Sequence, residues 1–312
     1  MNLSVVIPLY NEEESVGRLY ERLTRVLAKL GTDYEIIIVD DGSTDKSFKI
    51  LEKLHRQDGR LKVISFRRNF GQTAAMSAGF DHARGRFIVT MDADLQNPPE
   101  EVGKLLEKMD EGFDIVSGWR KDRKDRYITR LLPSKIANFL VSRLTGVELH
   151  DYGCSLKCYR KEVVKNIRLY GEMHRFIPAV ASSVGAKVAE VEVAHEQRRY
   201  GKSKYGLSRT LRVFLDIILV KFLLSFQTRP IQLFGLAGII FGFFGGLFGL
   251  YLSYVRLVLQ QSIGNRPLLM LSVLLLVLGV QLVMMGLLGE ISMRTYFESQ
   301  GKKTYIIREQ LI

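Results

Sequence analysis

Cysteine is scarce: Cys154 and Cys158 are the only two in 312 residues. Two thiols do not provide four metal ligands, which excludes a cysteine-built structural zinc site. A cytosolic setting, argued below from charge, also lacks the oxidising conditions of a disulfide. Both are therefore read as free thiols packed in the fold. Other signatures are missing too. No zinc-finger spacing or RNA-recognition motif accompanies the net charge of +12, so nucleic acid is not the expected partner. The turn after the first apolar run reads P-L-Y-N-E and has no G-x-G-x-x-G, which excludes a dinucleotide turn of the Rossmann type. His150 and His195 have no second His or Cys at a zinc spacing and are read as structural. The N-terminus opens on the strand-like L-S-V-V-I-P, and no secretory signal is expected.

Charge is absent from two long stretches, between Arg229 and Arg256 and between Arg266 and Glu290. Each exceeds the ~20 residues that carry a helix across a bilayer. They read as two spans, about 231–255 and 267–289, joined by R-L-V-L-Q-Q-S-I-G-N-R. Lysine and arginine cluster before the first span (Arg209, Arg212, Lys221, Arg229) and after the second (Arg294, Lys302, Lys303, Arg308). The positive-inside rule then puts the N-terminal domain and the C-terminal tail in the cytosol, in a multi-pass protein of the plasma (inner) membrane. Residues 206–229 are apolar but carry Arg209, Arg212, Asp216 and Lys221. A charge at the centre of a span costs ~2.5–3.5 kcal/mol on insertion scales, so an amphipathic helix lying on the cytosolic leaflet is expected there. Gly238, Gly242 and Gly246 recur every four residues, with Gly245 and Gly249 beside them. Small-xxx-small faces let helices approach closely, which predicts span-to-span or subunit contact, with Gly242 as the position to test and a homo-oligomer as one outcome.

Upstream, apolar and charged runs alternate. Residues 3–9, 34–40, 61–66, 86–92 and 113–118 read as strands; 12–30, about 43–55, 71–84 and 98–111 read as helices. Val16, Leu19, Leu23, Val26 and Leu27 form the inward stripe of the first helix. The alternation predicts an α/β domain over 1–205, its sheet mainly parallel with helices on both faces. The interfacial helix (206–229), the two transmembrane helices (230–290) and a cytosolic tail (291–312) follow.

Polar and acidic clusters follow three of those strands: Asn11 and Glu12, Asp40 and Asp41, Asp92 and Asp94. Open α/β sheets bind ligands outside the carboxyl ends of their strands, so the three clusters are expected in one crevice. A carboxylate at the end of a buried strand must be paired, solvated or bound to a cation. Each cluster also has a plain reading. Asp40-Asp41-Gly42-Ser43 suits a turn and helix cap, and Asn97-Pro98-Pro99 suits the start of a helix. Paired carboxylates favour Mg²⁺ or Mn²⁺, which take few protein ligands together with substrate phosphates.

V-V-I-P-L-Y-N-E (5–12), V-D-D-G-S-T-D (39–45) and M-D-A-D-L-Q (91–96) resemble the nucleotide-sugar half of family-2 glycosyltransferases of the A fold. D-Y-G-C-S-L-K-C-Y-R (151–160), Q-R-R-Y-G-K-S-K-Y (197–205) and the two spans narrow the resemblance to polyprenyl-phosphate glycosyltransferases. That group includes bacterial undecaprenyl-phosphate enzymes and dolichol-phosphate mannose synthases. The resemblance implies inverting transfer of a sugar from a nucleotide diphosphate sugar, a UDP-sugar, to a polyprenyl phosphate at the cytosolic face. It implies that Pro8, Tyr10, Glu12 and Asp40 hold the nucleoside. Asp92 and Asp94 would meet the diphosphate through Mg²⁺ or Mn²⁺, with Gln96 close to the ion. Arg120, Arg130 and Ser134 would lie near the acceptor phosphate, Asp151 beside the sugar, and Arg199, Ser203 and Lys204 in a loop over the phosphates.

Asp94, Arg120 and Asp151 are the expected catalytic set. A phosphate monoester has a second pKa of about 6 and is mostly dianionic at neutral pH. The acceptor therefore needs no general base, and Asp151 is expected to position its neighbours. The alternatives are a GDP-mannose-using synthase of the dolichol type and a non-catalytic membrane adaptor that keeps the fold. A processive polysaccharide synthase fits less well, since Q-R-R-Y replaces Q-x-x-R-W and two spans do not enclose a polymer channel.

Overall fold

A computed structural model describes residues 1–121, 142–143, 146–167, 169, 173–183, 185–196, 230–299 and 305–312. Arg130, Ser134, Arg199, Ser203, Lys204 and the expected surface helix at 206–229 lie outside these residues.

Four strands form the centre of one sheet: β1 (Leu3–Leu9), β2 (Tyr34–Asp40), β3 (Leu61–Phe66) and β4 (Phe87–Thr90). They lie in the order β4-β1-β2-β3 and every pairing among them is parallel. Their residues are mostly apolar on both faces, as strands covered from both sides tend to be. The helices α1 (Val16–Lys29), α2 (Ser47–Gln57) and α3 (Gln72–His82) connect them, and α4 (Val102–Asp110) follows β4 after a single turn over Pro99–Glu101. On α1, Val16, Leu19, Leu23 and Leu27 are fully buried at helical spacing. Each such side chain stabilises the domain by about 1.5–3 kcal/mol.

The outer strands depart from simple alternation. β5 (Ile115–Trp119) does not join β4; β6 (Lys157–Arg160) inserts between them, antiparallel to both. Two short helices, α5 (Lys161–Lys165) and α6 (Ile177–Ser183), lead to β7 (Val188–Glu192), which pairs parallel with β5. On the far side β8 (Ile307–Leu311) pairs antiparallel with β3. The sheet therefore runs β7-β5-β6-β4-β1-β2-β3-β8 and is mixed, with a parallel centre. The C-terminal tail, expected as a separate segment, supplies one of its edges.

The chain divides into two compact units, Met1–Lys221 with Lys303–Ile312, and Phe222–Lys302. The second contains α7 (Pro230–Leu257) and α8 (Pro267–Ser299). Phe234–Leu257 and Pro267–Gly289 are long and apolar enough to cross a membrane. Their outer faces are apolar and open: Phe243 is 65% exposed, Leu250 72% and Met270 81%. That is the pattern of a helix surrounded by lipid, whereas a core helix would be covered by protein. α8 runs on past the apolar stretch to Ser299, since no proline or glycine interrupts 290–299.

The glycine stripe brings the two helices together, with the Gly242 backbone among the atoms that face Gly279. A Cβ on Gly238 would lie 2.6 Å from the Gly279 carbonyl oxygen, and one on Gly245 2.9 Å from the Leu276 nitrogen. Ser272 Oγ, buried between the helices, donates to the Gly245 carbonyl at 2.7 Å. A Cβ on Gly242 would point into open space, so Gly238, Gly245 and Gly279 are the intolerant positions in this contact.

Candidate active site

At the carboxyl ends of the central strands, the β1 and β2 turns interlock. Asn11 N–H donates to Ser43 Oγ at 2.9 Å, and Asn11 Oδ1 accepts from Thr44 N–H at 2.8 Å. Glu12 N–H donates to Ser47 Oγ at 3.0 Å, and a Glu12 carboxylate oxygen accepts from Ser15 Oγ at 3.0 Å. Pro8, Tyr10 and Glu12 are half-buried along this rim. Asp40 is placed differently. It is fully buried, with one oxygen accepting from Ser43 N–H and the other from Ser65 Oγ, both at 2.9 Å. It holds the turn from beneath the half-buried rim residues. Asp41 accepts from the amides of Phe70 (2.7 Å) and Gly71 (2.9 Å). Burial pushes its carboxyl up to about 6, against those two amides. Gly42 has φ +72°, and a Cβ there would lie 2.5 Å from the Arg68 backbone, so only glycine fits the turn.

Asp92 and Asp94 follow β4, both half-buried. Gln72 Nε2 donates to Asp92 Oδ1 at 2.8 Å, and Gln96 N–H donates to Asp94 Oδ1 at 3.1 Å. Leu95 between them adopts φ +61°, a left-handed conformation that costs a bulky residue on the order of 1–3 kcal/mol. Its side chain packs against the core, which holds the strained turn in place. The Gln96 side chain reaches His195 Nε2 at 3.4 Å. Asn97 does not cap the following helix; its Nδ2 donates to Ser155 Oγ at 2.8 Å and ties this turn to the D-Y-G-C loop.

Arg120, just beyond β5, forms a two-pronged pair with Asp151: Nε to Oδ2 at 2.7 Å and Nη2 to Oδ1 at 3.0 Å. Both side chains are nearly inaccessible. Burial works against the charge on Arg120, but the Asp151 carboxylate, with Asp92 beyond it, outweighs it, and the guanidinium is held firmly charged. Lys157 of β6 is buried below, donating to the carbonyls of Tyr152 (3.1 Å) and Cys154. Burial pushes its ammonium down, while the Asp151 and Asp92 carboxylates act to raise it. Cys154 and Cys158 are free and buried. The Arg120–Asp151 pair, Lys157 beneath it and the Asn97–Ser155 bond thus tie the D-Y-G-C loop to the turn after Asp92 and Asp94.

The described residues hold no group of three or more His, Cys, Asp and Glu able to enclose a metal. Two half-buried carboxylates side by side still fit a hard divalent cation that draws its remaining oxygens from water and a substrate diphosphate.

Glycosyl transferase family 2 matches residues 4–168. The chain belongs to that family. Dodecaprenyl-phosphate galacturonate synthase of Rhizobium johnstonii is 45% identical over 99% of this chain and 93% of its own length. Undecaprenyl-phosphate 4-deoxy-4-formamido-L-arabinose transferase of Shewanella sediminis is 40% identical over 99% and 92%. Among solved structures, mannosyl-3-phosphoglycerate synthase from Rubrobacter xylanophilus superposes with a TM-score of 0.58 at 17% identity, covering 71% of this chain and 74% of that one. Glucosyl-3-phosphoglycerate synthase from Mycobacterium tuberculosis, in complex with Mn²⁺, UDP and phosphoglyceric acid, superposes with a TM-score of 0.56 at 18% identity over 72% and 78%. These likenesses establish the A fold of the family-2 glycosyltransferases.

Two residues of this neighbourhood were not singled out in the sequence. Gln72 lies in a helix start without acidic or basic neighbours, and Lys157 is one cation among many. Each is distinguished by what the fold places against it.

Proposed function

We propose that this protein transfers a sugar from a nucleotide diphosphate sugar to a polyprenyl phosphate at the cytosolic face of the membrane. The observation that carries the reading is the Asn97–Ser155 hydrogen bond, which ties the turn after Asp92 and Asp94 to the loop of the two-pronged Arg120–Asp151 pair, in a chain with two span-length helices. The names of the R. johnstonii and S. sediminis relatives, which pair a sugar with a prenyl phosphate, support the same reading along almost the whole chain.

The acceptor's phosphate oxygen attacks the anomeric carbon of the sugar, the bond from that carbon to the donor diphosphate breaks, and its electrons leave on the diphosphate with inversion. A Mg²⁺ or Mn²⁺ ion, when bound, supplies Lewis-acid stabilisation of the departing diphosphate. Asp92 and Asp94, with Gln96 beside them, would hold it. Pro8, Tyr10 and Glu12 line the rim for the nucleoside, and Asp40 supports them from below. Arg120 keeps a charged fork near the acceptor and offsets the repulsion between two anions. Asp151 spends both oxygens on that fork, so it orients the arginine and does not remove a proton. Arg130, Ser134, Arg199, Ser203 and Lys204 are assigned to the phosphates on motif alone.

The paired strands β3 and β8 support the topology. Residues before and after the helix pair belong to one sheet, so the chain between them crosses the membrane an even number of times. This favours two spans, with 206–229 on the surface. The test is a panel of UDP- and GDP-sugars with Mn²⁺. The cognate donor raises the thermal unfolding temperature and labels a prenyl phosphate, whereas labelling undiminished by strong chelator would overturn the reading.

A further inference from the structure

The loop between β3 and α3 links two acids of the site to the far end of the chain. Phe66, the last residue of β3, is fully buried. Its ring stacks on Tyr305 with centroids 5.1 Å apart and planes 16° apart, and it meets Phe70 edge-on at 5.7 Å. Next to it, Arg67 N–H donates to the Ile306 carbonyl at 3.1 Å. The register of β3 on β8 shifts between Ser65 and Phe66, where the chain turns into this loop. The Arg68 backbone rests on Gly42, the amides of Phe70 and Gly71 donate to Asp41, and Gln72 holds Asp92. Tyr305, itself 5% exposed, also donates its hydroxyl to Asp81 near the other end of α3 at 2.7 Å. The tail therefore grips both the loop in front of α3 and the last turn of that helix.

We infer that Tyr305 is a positioning residue for the donor site: the strand returning from the membrane helices sets the loop that orients Asp41 and Asp92. Residues 67–69 are exposed, and the loop is held where Arg67 meets Ile306, Arg68 meets Gly42 and Phe70, and its two ends are anchored. One end is Phe66, whose stacking partner is Tyr305. Without that ring, the loop samples more conformations, and each nucleotide bound must order it again. The nucleotide site is thereby completed by a segment lying beyond both spans.

The inference rests on the donor-site reading of Asp92 given above, so both are tested side by side in the full-length protein in lipid nanodiscs. The probes are UDP and GDP with Mn²⁺, and the readouts are nucleotide Kd, the Mn²⁺ concentration for half-maximal binding, and ligand-free unfolding temperature. Tyr305→Ala is expected to raise Kd about tenfold, and the Mn²⁺ requirement with it, at temperatures where the variant is fully folded. Tyr305→Phe keeps the stack, loses the bond to Asp81, and is expected to restore Kd to within about twofold. Tyr305→Leu, which refills the space, serves if the alanine variant does not fold, and is expected to weaken binding in the same direction. Wild-type Kd and Mn²⁺ requirement in folded Tyr305→Ala or Tyr305→Leu would overturn the inference, as would a Tyr305→Phe variant as weak as the alanine. Unchanged binding in Asp92→Ala would instead overturn the reading of Asp92 while leaving the Tyr305 comparison to stand on its own result.

Discussion

The two ends of the central sheet use the same chemistry for opposite purposes. At the amino end, Glu35 is buried under the strands and saturated: it accepts from Ser4 Oγ at 2.6 Å, from Arg84 N–H at 2.7 Å and from the Lys62 ammonium. Burial alone would raise its carboxyl, but these donors hold it below the ordinary range. At the carboxyl end, Asp92 and Asp94 remain half-buried on turns. A carboxylate whose oxygens are all spent on neighbours is part of the framework. Those at the rim are half-buried on turns, and they are the ones the proposed function assigns to a cation. Asp40 and Asp151 lie at the second rim and yet belong to the first kind, each with both oxygens engaged.

That contrast yields three predictions. The largest effect is at the rim: Asp92→Ala or Asp94→Ala lowers sugar transfer by about 10²–10³-fold while the unfolding temperature stays near wild type, as measured by labelled-lipid assay and calorimetry. At the amino end the pattern reverses. Lys62→Met leaves Glu35 buried without its cation and costs about 3–5 kcal/mol of stability, read by denaturant unfolding, with nucleotide affinity unchanged in the folded fraction. A stable Lys62→Met variant with weakened nucleotide binding would erase the distinction between the ends.

The smallest effect belongs to Asp41. Native Asp41 keeps its proton to about pH 6, against 3.8 for an ordinary aspartate. The native state binds more protons than the unfolded chain in this window, so the contribution of this group to stability falls as pH rises from about 4 to about 6. Asp41→Asn removes that slope. The gap in unfolding temperature between wild type and variant should change across the window and stay flat above it.

The parallel centre was legible because its strands are apolar on both faces and alternate with amphipathic helices such as Val16–Leu27. The strands β6, β7 and β8 were not. K-C-Y-R, V-A-E-V-E and I-R-E-Q-L are short and mixed in polarity, and they become strands through pairing with distant segments. The site divides in the same way. Asp92, Asp94, Arg120 and Asp151 stood out as charges at strand ends or in motifs. Gln72 and Lys157 did not, since a neutral amide and a buried ammonium acquire their meaning from tertiary contacts alone. The depth of Asp40 was not legible, because strand-end position does not reveal burial, and Ser65, on the adjacent strand, takes up its second oxygen.

The antiparallel edge strand has a consequence for biosynthesis. Its residues are translated after both apolar helices, so the sheet meets its last member only once the hairpin has left the ribosome. Until then β3 presents an uncapped row of backbone groups, a template for mispairing with other chains. Completion of the sheet thus waits on the apolar helices: the strand-bearing unit gains its last edge only after both of them have been made.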